Sequence, residues 1–326
     1  MDNKIKIGVL GCSNIAWKSI IPAILGNKNF ILKGVGSRSE EKGKIFAEKF
    51  QTNYYTYGDL INDSDIDAIY VSLPVSLHYV WGKKVITANK HLLMEKTFTH
   101  SYSSALDLLS LAEEKNLVAM EALMYIYHPL FKKVKELVDI GELGNLRSIE
   151  AMFGFPRLPD NDIRNNKELG GGALFDNLIY PLSLCLYLAS DSNFSYNFKI
   201  FKDEKQDLDL RGSLVINFST FSAYLSFGFD CMYRNEYCVW GSKGYLKVQR
   251  AFSRPIDMDA DIHLVTHESE RNLKIPSANH FSKMLDAFFS KIKRLDTTGK
   301  NERDDILTRL KIITDIYHKV GESEAK

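Results

Sequence analysis

Apolar positions change their period part-way along the chain. Residues 4–10 (KIKIGVL), Phe30–Gly36, 66–73, His91–Met94 and 117–120 are short, mostly apolar runs. They read as buried strands. Helical spacing separates them: a helix ending near Leu25, then helices over Glu40–Phe50, 76–88 and 101–116. Strands alternating with helices of this length predict a parallel, doubly wound sheet, with any ligand at the carboxyl ends of the strands.

The second part of the chain reads differently. A helix is predicted over 129–140, stopped by Gly141-Glu142-Leu143-Gly144, followed by a strand at Leu146–Gly154. A polar loop over 155–169 leads to Gly170-Gly171-Gly172 and a helix over 174–189. That helix puts Asp176 and Tyr180, four residues apart, on one face. From about Phe198 short alternating strands take over, at 213–217, 222–229, 236–240 and 245–250. Residues 209–229 and 236–252 read as antiparallel hairpins. Such a sheet, covered by helix 174–189 on one side, leaves a second apolar face, which predicts a homodimer or homotetramer formed through it. Helices at His280–Ile292 and 305–318 close the chain and are expected to pack back on the first domain. A basic connector at 293–300 joins them, and the charged tail 321–326 is expected to fray.

The fold class expected is therefore α/β. A Rossmann-type doubly wound sheet over 1–122 precedes an α+β domain over 123–326, built on an open, mostly antiparallel sheet. Composition adds mainly exclusions. Lys+Arg number 42 and Asp+Glu 41, giving a net charge of +1, which points to neither nucleic acid nor a membrane surface. No apolar run approaches the ~20 residues that span a bilayer, and the N-terminus lacks a signal-peptide core. Cys12, Cys185, Cys231 and Cys238 are scattered, as expected of a reducing cytoplasm and of a protein with no metal site.

Candidate chemistry clusters at the strand ends. Gly11-Cys12-Ser13-Asn14-Ile15-Ala16 joins a strand to a helix, where free N–H groups and the helix dipole favour a pyrophosphate. Gly11 and Ala16 fit the first and third positions of the dinucleotide fingerprint, while Ser13 replaces its second glycine. The second strand ends in Ser37-Arg38-Ser39, with no acid for a ribose 2′-hydroxyl. A guanidinium and hydroxyls suit a 2′-phosphate, so NADP(H) is expected in preference to NAD(H), which stays possible. Leu73-Pro74 and His78 border the same cleft, and Glu95-Lys96 ends the next strand.

These residues resemble the Gfo/Idh/MocA oxidoreductases over nearly the whole chain. The resemblance rests on GVLGCSNIA (8–16), LPVSLH (73–78), KHLLMEKT (90–97), EALMYIYHP (121–129) and GGGALFDNLIYP (170–181). Within that family the chain is most similar to the sugar-nucleotide 3-ketoreductase and dihydrodiol/D-xylose dehydrogenase branch. The resemblance implies that Lys96 bridges a substrate oxygen and the nicotinamide ribose, that Tyr180 is the proton donor, and that Asp176 is the accompanying acid. Glu121 and Arg164 join Lys96, Asp176 and Tyr180 as candidate substrate contacts, and Arg147, Arg157 and Arg164 are candidates for a diphosphate. Thr97, Ile126 and Leu178 depart from the family's usual proline, arginine and glycine.

The expected reaction is NADP(H)-dependent hydride transfer to a carbonyl of a sugar or sugar nucleotide, with Tyr180 as acid and Lys96 stabilising phenolate and alkoxide alike. A D-xylose or trans-dihydrodiol dehydrogenase is the alternative within enzymes. A non-catalytic dinucleotide-binding regulator is the alternative outside them.

Overall fold

The computed structural model describes residues 4–189, 193–203, 207–294 and 302–324. Its contacts divide the chain into two units: Met1–Met124 with Asn279–Leu310, and Tyr125–Ala278 with Lys311–Lys326.

In the first unit β1 (Ile5–Leu10), a π-helical turn (Ala16–Ile20), α1 (Ile21–Leu25), β2 (Phe30–Gly36) and α2 (Glu40–Phe50) are followed by β3 (Asn53–Tyr55) and α3 (Tyr57–Asn62). Next come β4 (Ala68–Val71), α4 (His78–Thr87), β5 (His91–Met94), α5 (Tyr102–Glu114) and β6 (Ala119–Glu121). All six strands are parallel, in the order β3-β2-β1-β4-β5-β6. The strand order reverses between β1 and β4, which is where such sheets bind ligands. Every residue of β4 is buried, as the uninterrupted apolar run requires. The sequence reading missed β3 and α3, whose three and six residues are too short to establish a period. It also ran strand 66–73 two residues past Val71 and began helix 76–88 on a 3₁₀ turn, Val75–Leu77.

In the second unit α6 (Pro129–Asp139) precedes β7 (Leu146–Gly154), α7 (Ala173–Asp176) and α8 (Ile179–Leu188). Seven more strands follow: β8 (Phe194–Asp203), β9 (Leu208–Phe218), β10 (Ser222–Gly228), β11 (Arg234–Gly241), β12 (Gly244–Gln249), β13 (Ala260–Thr266) and β14 (Glu270–Ile275). They form an eight-stranded sheet, β14-β13-β12-β11-β7-β10-β9-β8, antiparallel except where β7 meets β10. Both expected hairpins are present, as β9–β10 and β11–β12. Helix α8 covers one face through β7 and β10. The other face is mixed rather than apolar. Tyr224 and Trp240, 49% and 56% exposed, stand among Glu150, Glu236 and Lys247. A groove of about 340 Å³ runs there, between Glu150, Met152, Glu236 and Lys247.

Helix α9 (His280–Ile292) and the first half of α10 (Glu302–Glu324) belong to the first unit. Phe288 stacks on Phe30, and Ile306 and Leu310 enter the core beside Leu108. Among the described residues no single helix is long and apolar enough to cross a membrane. Most of the expected connector (295–300) and the end of the tail (325–326) lie outside the described residues.

The helix expected over 174–189 is two helices. The chain bends by 42° between residues 167–176 and 179–188. Leu178 N–H reaches back five residues to the Ala173 carbonyl, and Tyr180 N–H reaches only three, to Asn177. Asp176 and Tyr180 therefore do not share a regular helical face. The break is held by Asn177, fully buried, whose Nδ2 donates to the Gly228 carbonyl at 2.9 Å. The glycines serve this same turn. Gly172 has φ +110°, and a Cβ there would lie 2.2 Å from an Asp209 carboxylate oxygen. A Cβ on Gly171 would lie 2.4 Å from the Arg164 carbonyl oxygen. The close backbone approach is to the unit's own loop and to Asp209.

Asp209 accepts from Leu174 N–H at 2.5 Å and so anchors the start of α7. Burial pushes its carboxyl up from 3.8 to about 7, against the N–H groups that favour the charge. Between those values the folded state holds a proton that the unfolded state has released, so this group makes stability fall as pH rises from about 4 to 7. Asp209→Asn lacks that loss. Urea unfolding is expected to show the variant gaining about 3 kcal/mol relative to wild type between pH 4 and pH 7. Parallel pH curves for the two proteins would count against it.

Candidate functional site

The first unit gathers its candidates where β1, β4 and β5 end. Gly11 turns the chain out of β1 at φ +109°, and a Cβ there would lie 2.5 Å from the Ser72 carbonyl oxygen. Only glycine fits that crossing of the β1 and β4 exits. Ser13 Oγ accepts from Ala16 N–H at 3.1 Å and pairs with Ser72 Oγ. Its side chain caps the helix, leaving exposed Asn14 and half-buried Ile15 at the opening turn. Leu73 packs over Gly11.

At the tip of β2, Ser37 is buried and accepts from Ser39 N–H at 3.1 Å, while Arg38 is exposed. Ser39 caps α2 by accepting from Lys42 N–H. Three neighbours escaped the sequence reading. Cys12 is hydrogen-bonded with Ser37 and lies near Lys42, and the Tyr57 hydroxyl is bonded to the Arg38 backbone. Of these only Tyr57 lies on α3, which was itself unread; Cys12 follows β1 and Lys42 is on α2. The residues fit a nucleotide: a glycine crossing, helix N–H groups, and a cation at the second strand's end.

Lys96 lies on the loop leaving β5, and the Lys96–Thr97 peptide is cis. Glu95 beside it accepts from the Tyr70 hydroxyl and, at 3.3 Å, from Lys96 N–H. Burial pushes the Glu95 carboxyl up to about 7. His78 is 1% exposed, its Nδ1 2.9 Å from the Thr97 carbonyl oxygen and its Nε2 2.8 Å from that of Leu73. Burial holds it below the usual histidine range, although both carbonyls favour the charged ring. It lies between the β4 and β5 exits, and as a neutral ring it donates from one nitrogen, to one of these two carbonyls. Glu121 departs further from expectation. It is 2% exposed, and its two oxygens accept from Phe98 N–H at 2.7 Å and Arg309 Nη2 at 2.5 Å. Its carboxylate is occupied inside the unit, so it is no substrate contact.

In the second unit Tyr180 is 6% exposed, within a ring of aromatics: Phe153 at 4.8 Å between centroids, Phe252 at 5.9 Å and Tyr125 at 6.0 Å. Its carbonyl accepts from Ser183 Oγ at 2.8 Å, and Ser183 pairs with the Tyr125 hydroxyl at 2.7 Å. This buried scaffold fixes the backbone from which the phenol projects. Asp176 accepts from Arg164 Nε at 3.1 Å, and Arg164 Nη1 reaches both oxygens of Asp162. Two carboxylates thus hold one guanidinium, Asp176 being the stronger influence. Arg157 pairs with Asp203, and Arg147 is exposed.

Comparison with known proteins gives this arrangement a family. The model of an oxidoreductase family with an NAD-binding Rossmann fold matches residues 5–123, and that of the GFO/IDH/MocA C-terminal domain matches 131–247. The chain is 35% identical to a dTDP-3,4-didehydro-2,6-dideoxy-alpha-D-glucose 3-reductase of Saccharopolyspora spinosa, over 90% of this chain and 89% of that protein. It is 28% identical to D-xylose 1-dehydrogenase (NADP(+)) 2 of Haloferax volcanii, over 95% of each. It superposes with a TM-score of 0.90 on KijD10, a 3-ketoreductase from Actinomadura kijaniata solved with NADP and TDP-benzene, at 30% identity and 96% coverage of both chains. The chain belongs to the GFO/IDH/MocA family of oxidoreductases.

Proposed function

We propose that the chain is an NADP(H)-dependent ketoreductase acting on a sugar nucleotide, with a 3-keto dTDP-deoxysugar as the substrate that its 35%-identical relative best supports. The observation that carries the reading is Lys96 at the carboxyl edge of a doubly wound sheet whose second strand ends in Ser37-Arg38.

NADPH, when bound, supplies hydride to the carbonyl carbon. Gly11, Asn14 and Ile15 would hold its pyrophosphate at the helix start, and Ser37 and Arg38 its 2′-phosphate, with Lys42 adding positive charge. Leu73 and Pro74 border the same cleft. Tyr180 gives its proton to the carbonyl oxygen. The aromatic ring around it excludes water from the donor. Lys96 supplies the positive charge that stabilises the developing alkoxide. Asp176 accepts a sugar hydroxyl, and Arg164, already shared by two carboxylates, orients Asp176 and orders the 155–169 loop.

The Haloferax relative favours a second reading, oxidation of a free aldose with NADP+. Turnover against free sugars and 3- or 4-keto dTDP-sugars separates the two. All four cysteines are free, which supports a reducing, cytoplasmic setting. The exposed Tyr224 and Trp240 support pairing of two copies through the outer sheet face.

Tyr180→Phe and Lys96→Ala are each expected to lower kcat at least ~100-fold with folding intact. Near-wild-type turnover in either variant removes the role given to that residue. Arg38→Ala is expected to raise the NADPH KM by ~10-fold or more while leaving the NADH KM within ~2-fold, since one charge-assisted contact is lost. An unchanged preference would return the cofactor assignment to NAD(H). Light scattering at micromolar concentration is expected to give at least twice the chain mass, and a clean monomer would refute the pairing.

A further inference from the structure

Glu121, the last residue of β6, is where three elements of the first unit converge. One carboxylate oxygen accepts from Phe98 N–H, two residues beyond Lys96, at 2.7 Å. The other accepts from Arg309 of α10 at 2.5 Å. The backbone N–H of Glu121 donates to Glu302 Oε1 at 3.2 Å, and Glu302 is paired with Lys291 of α9 at 3.0 Å. Glu121 is 2% exposed and Arg309 7%, so neither charge is solvated by water and each depends on the other.

From this geometry we infer that the Glu121–Arg309 pair is a positioning device for Lys96, by which the C-terminal helix α10 sets the loop that carries the reactive lysine. The inference rests on the role given to Lys96 above. A carboxylate is required because two donors approach it from different sides, one a backbone N–H and one a guanidinium, and each takes its own oxygen. Glutamine has one acceptor for these two donors. The charged guanidinium outcompetes the amide for it, which turns the glutamine NH2 toward Phe98 N–H. The loop then loses its anchor while the fold keeps its volume. His78 Nδ1 lies 2.9 Å from the neighbouring Thr97 carbonyl on the opposite side and, in the Nδ1–H tautomer, donates to it, a second grip on the same stretch of loop.

The test is a double-mutant cycle on the full chain, read by NADPH oxidation with the 3-keto dTDP-sugar and by amide hydrogen exchange. Glu121→Gln is expected to lower kcat about 10- to 100-fold, the scale of a reactive group displaced by about 1 Å. It should have little further effect in a Lys96→Ala background, because it acts through Lys96. The Phe98 amide is expected to exchange about 10-fold faster or more. Removing the competing donor, in Glu121→Gln/Arg309→Met, should return the glutamine oxygen to Phe98 N–H and restore both slow exchange and part of kcat. That double variant also covers the case in which Glu121→Gln alone folds poorly.

Equal fold-losses in the wild-type and Lys96→Ala backgrounds would overturn the inference. So would unchanged Phe98 exchange in Glu121→Gln. Normal turnover in Lys96→Ala would instead sink the catalytic reading of Lys96, and the Phe98 exchange would still decide whether the pair holds the loop.

Discussion

A chain leaving a parallel sheet must find partners for peptide groups that the ladder no longer pairs, and in this fold those exits also carry the candidate site. Inside the sheet the matter is settled by neighbouring strands. At the exits it is settled piece by piece: Gly11 N–H on the Gly36 carbonyl, Ser72 N–H on Leu10, Glu95 N–H on Val71 and Ala122 N–H on Met94. One residue further out the backbone runs out of backbone. Thr97 and Phe98 are buried, and their carbonyl and N–H are taken by His78 and Glu121. An unpaired buried peptide group costs on the order of 1–3 kcal/mol, enough to account for both side chains without giving either a place in the chemistry.

The same constraint recurs in the second unit. Helix α7 is four residues long and cannot satisfy its own first N–H groups. Asp209, from the adjacent sheet, supplies the acceptor, and Gly172 supplies the room for it. A buried carboxylate facing backbone N–H groups resembles a catalytic acid in composition and differs from one only in what it faces. Asp209 faces backbone N–H groups, Glu121 a backbone N–H and the Arg309 guanidinium, and Asp176 the Arg164 guanidinium.

Much of the architecture was legible because it rests on period. The mostly apolar runs of β1, β2, β4 and β5 are what a sheet covered on both faces favours, and Phe281, Met284, Leu285 and Phe288 mark the face of α9. What escaped was short or set by distant partners. Asn53–Tyr55 has too few residues to display a period. Phe194, Tyr196, Phe198 and Ile200 alternate along β8, a signal that was present and went unread. The break after Asp176 had a local signal, Pro181, which cannot donate to the Asn177 carbonyl four residues back; its anchor, Asn177 reaching the Gly228 carbonyl 51 residues away, had none. Glu121 read as a site residue because charged side chains at strand ends so often are. Its true partner, Arg309, lies 188 residues further on, where no local pattern reaches.

That separation bears on how the unit comes to work. The core of the first unit is closed by Ile306 and Leu310 packing beside Leu108 and Leu109. The same helix brings Arg309 to Glu121. Before α10 docks, Glu121 is an acid whose counter-ion has not arrived, and burying it then would be costly. Once α10 docks, the apolar contacts and the ion pair form together, because both are carried by adjacent turns of one helix. The loop bearing Lys96 is therefore anchored by the last segment of the unit to be synthesised. Residues 1–124 contain the whole parallel sheet and every residue proposed to hold the nucleotide. Without α10 they lack the charge that fixes the carboxylate on Phe98 N–H, so strand pairing alone does not define where Lys96 stands.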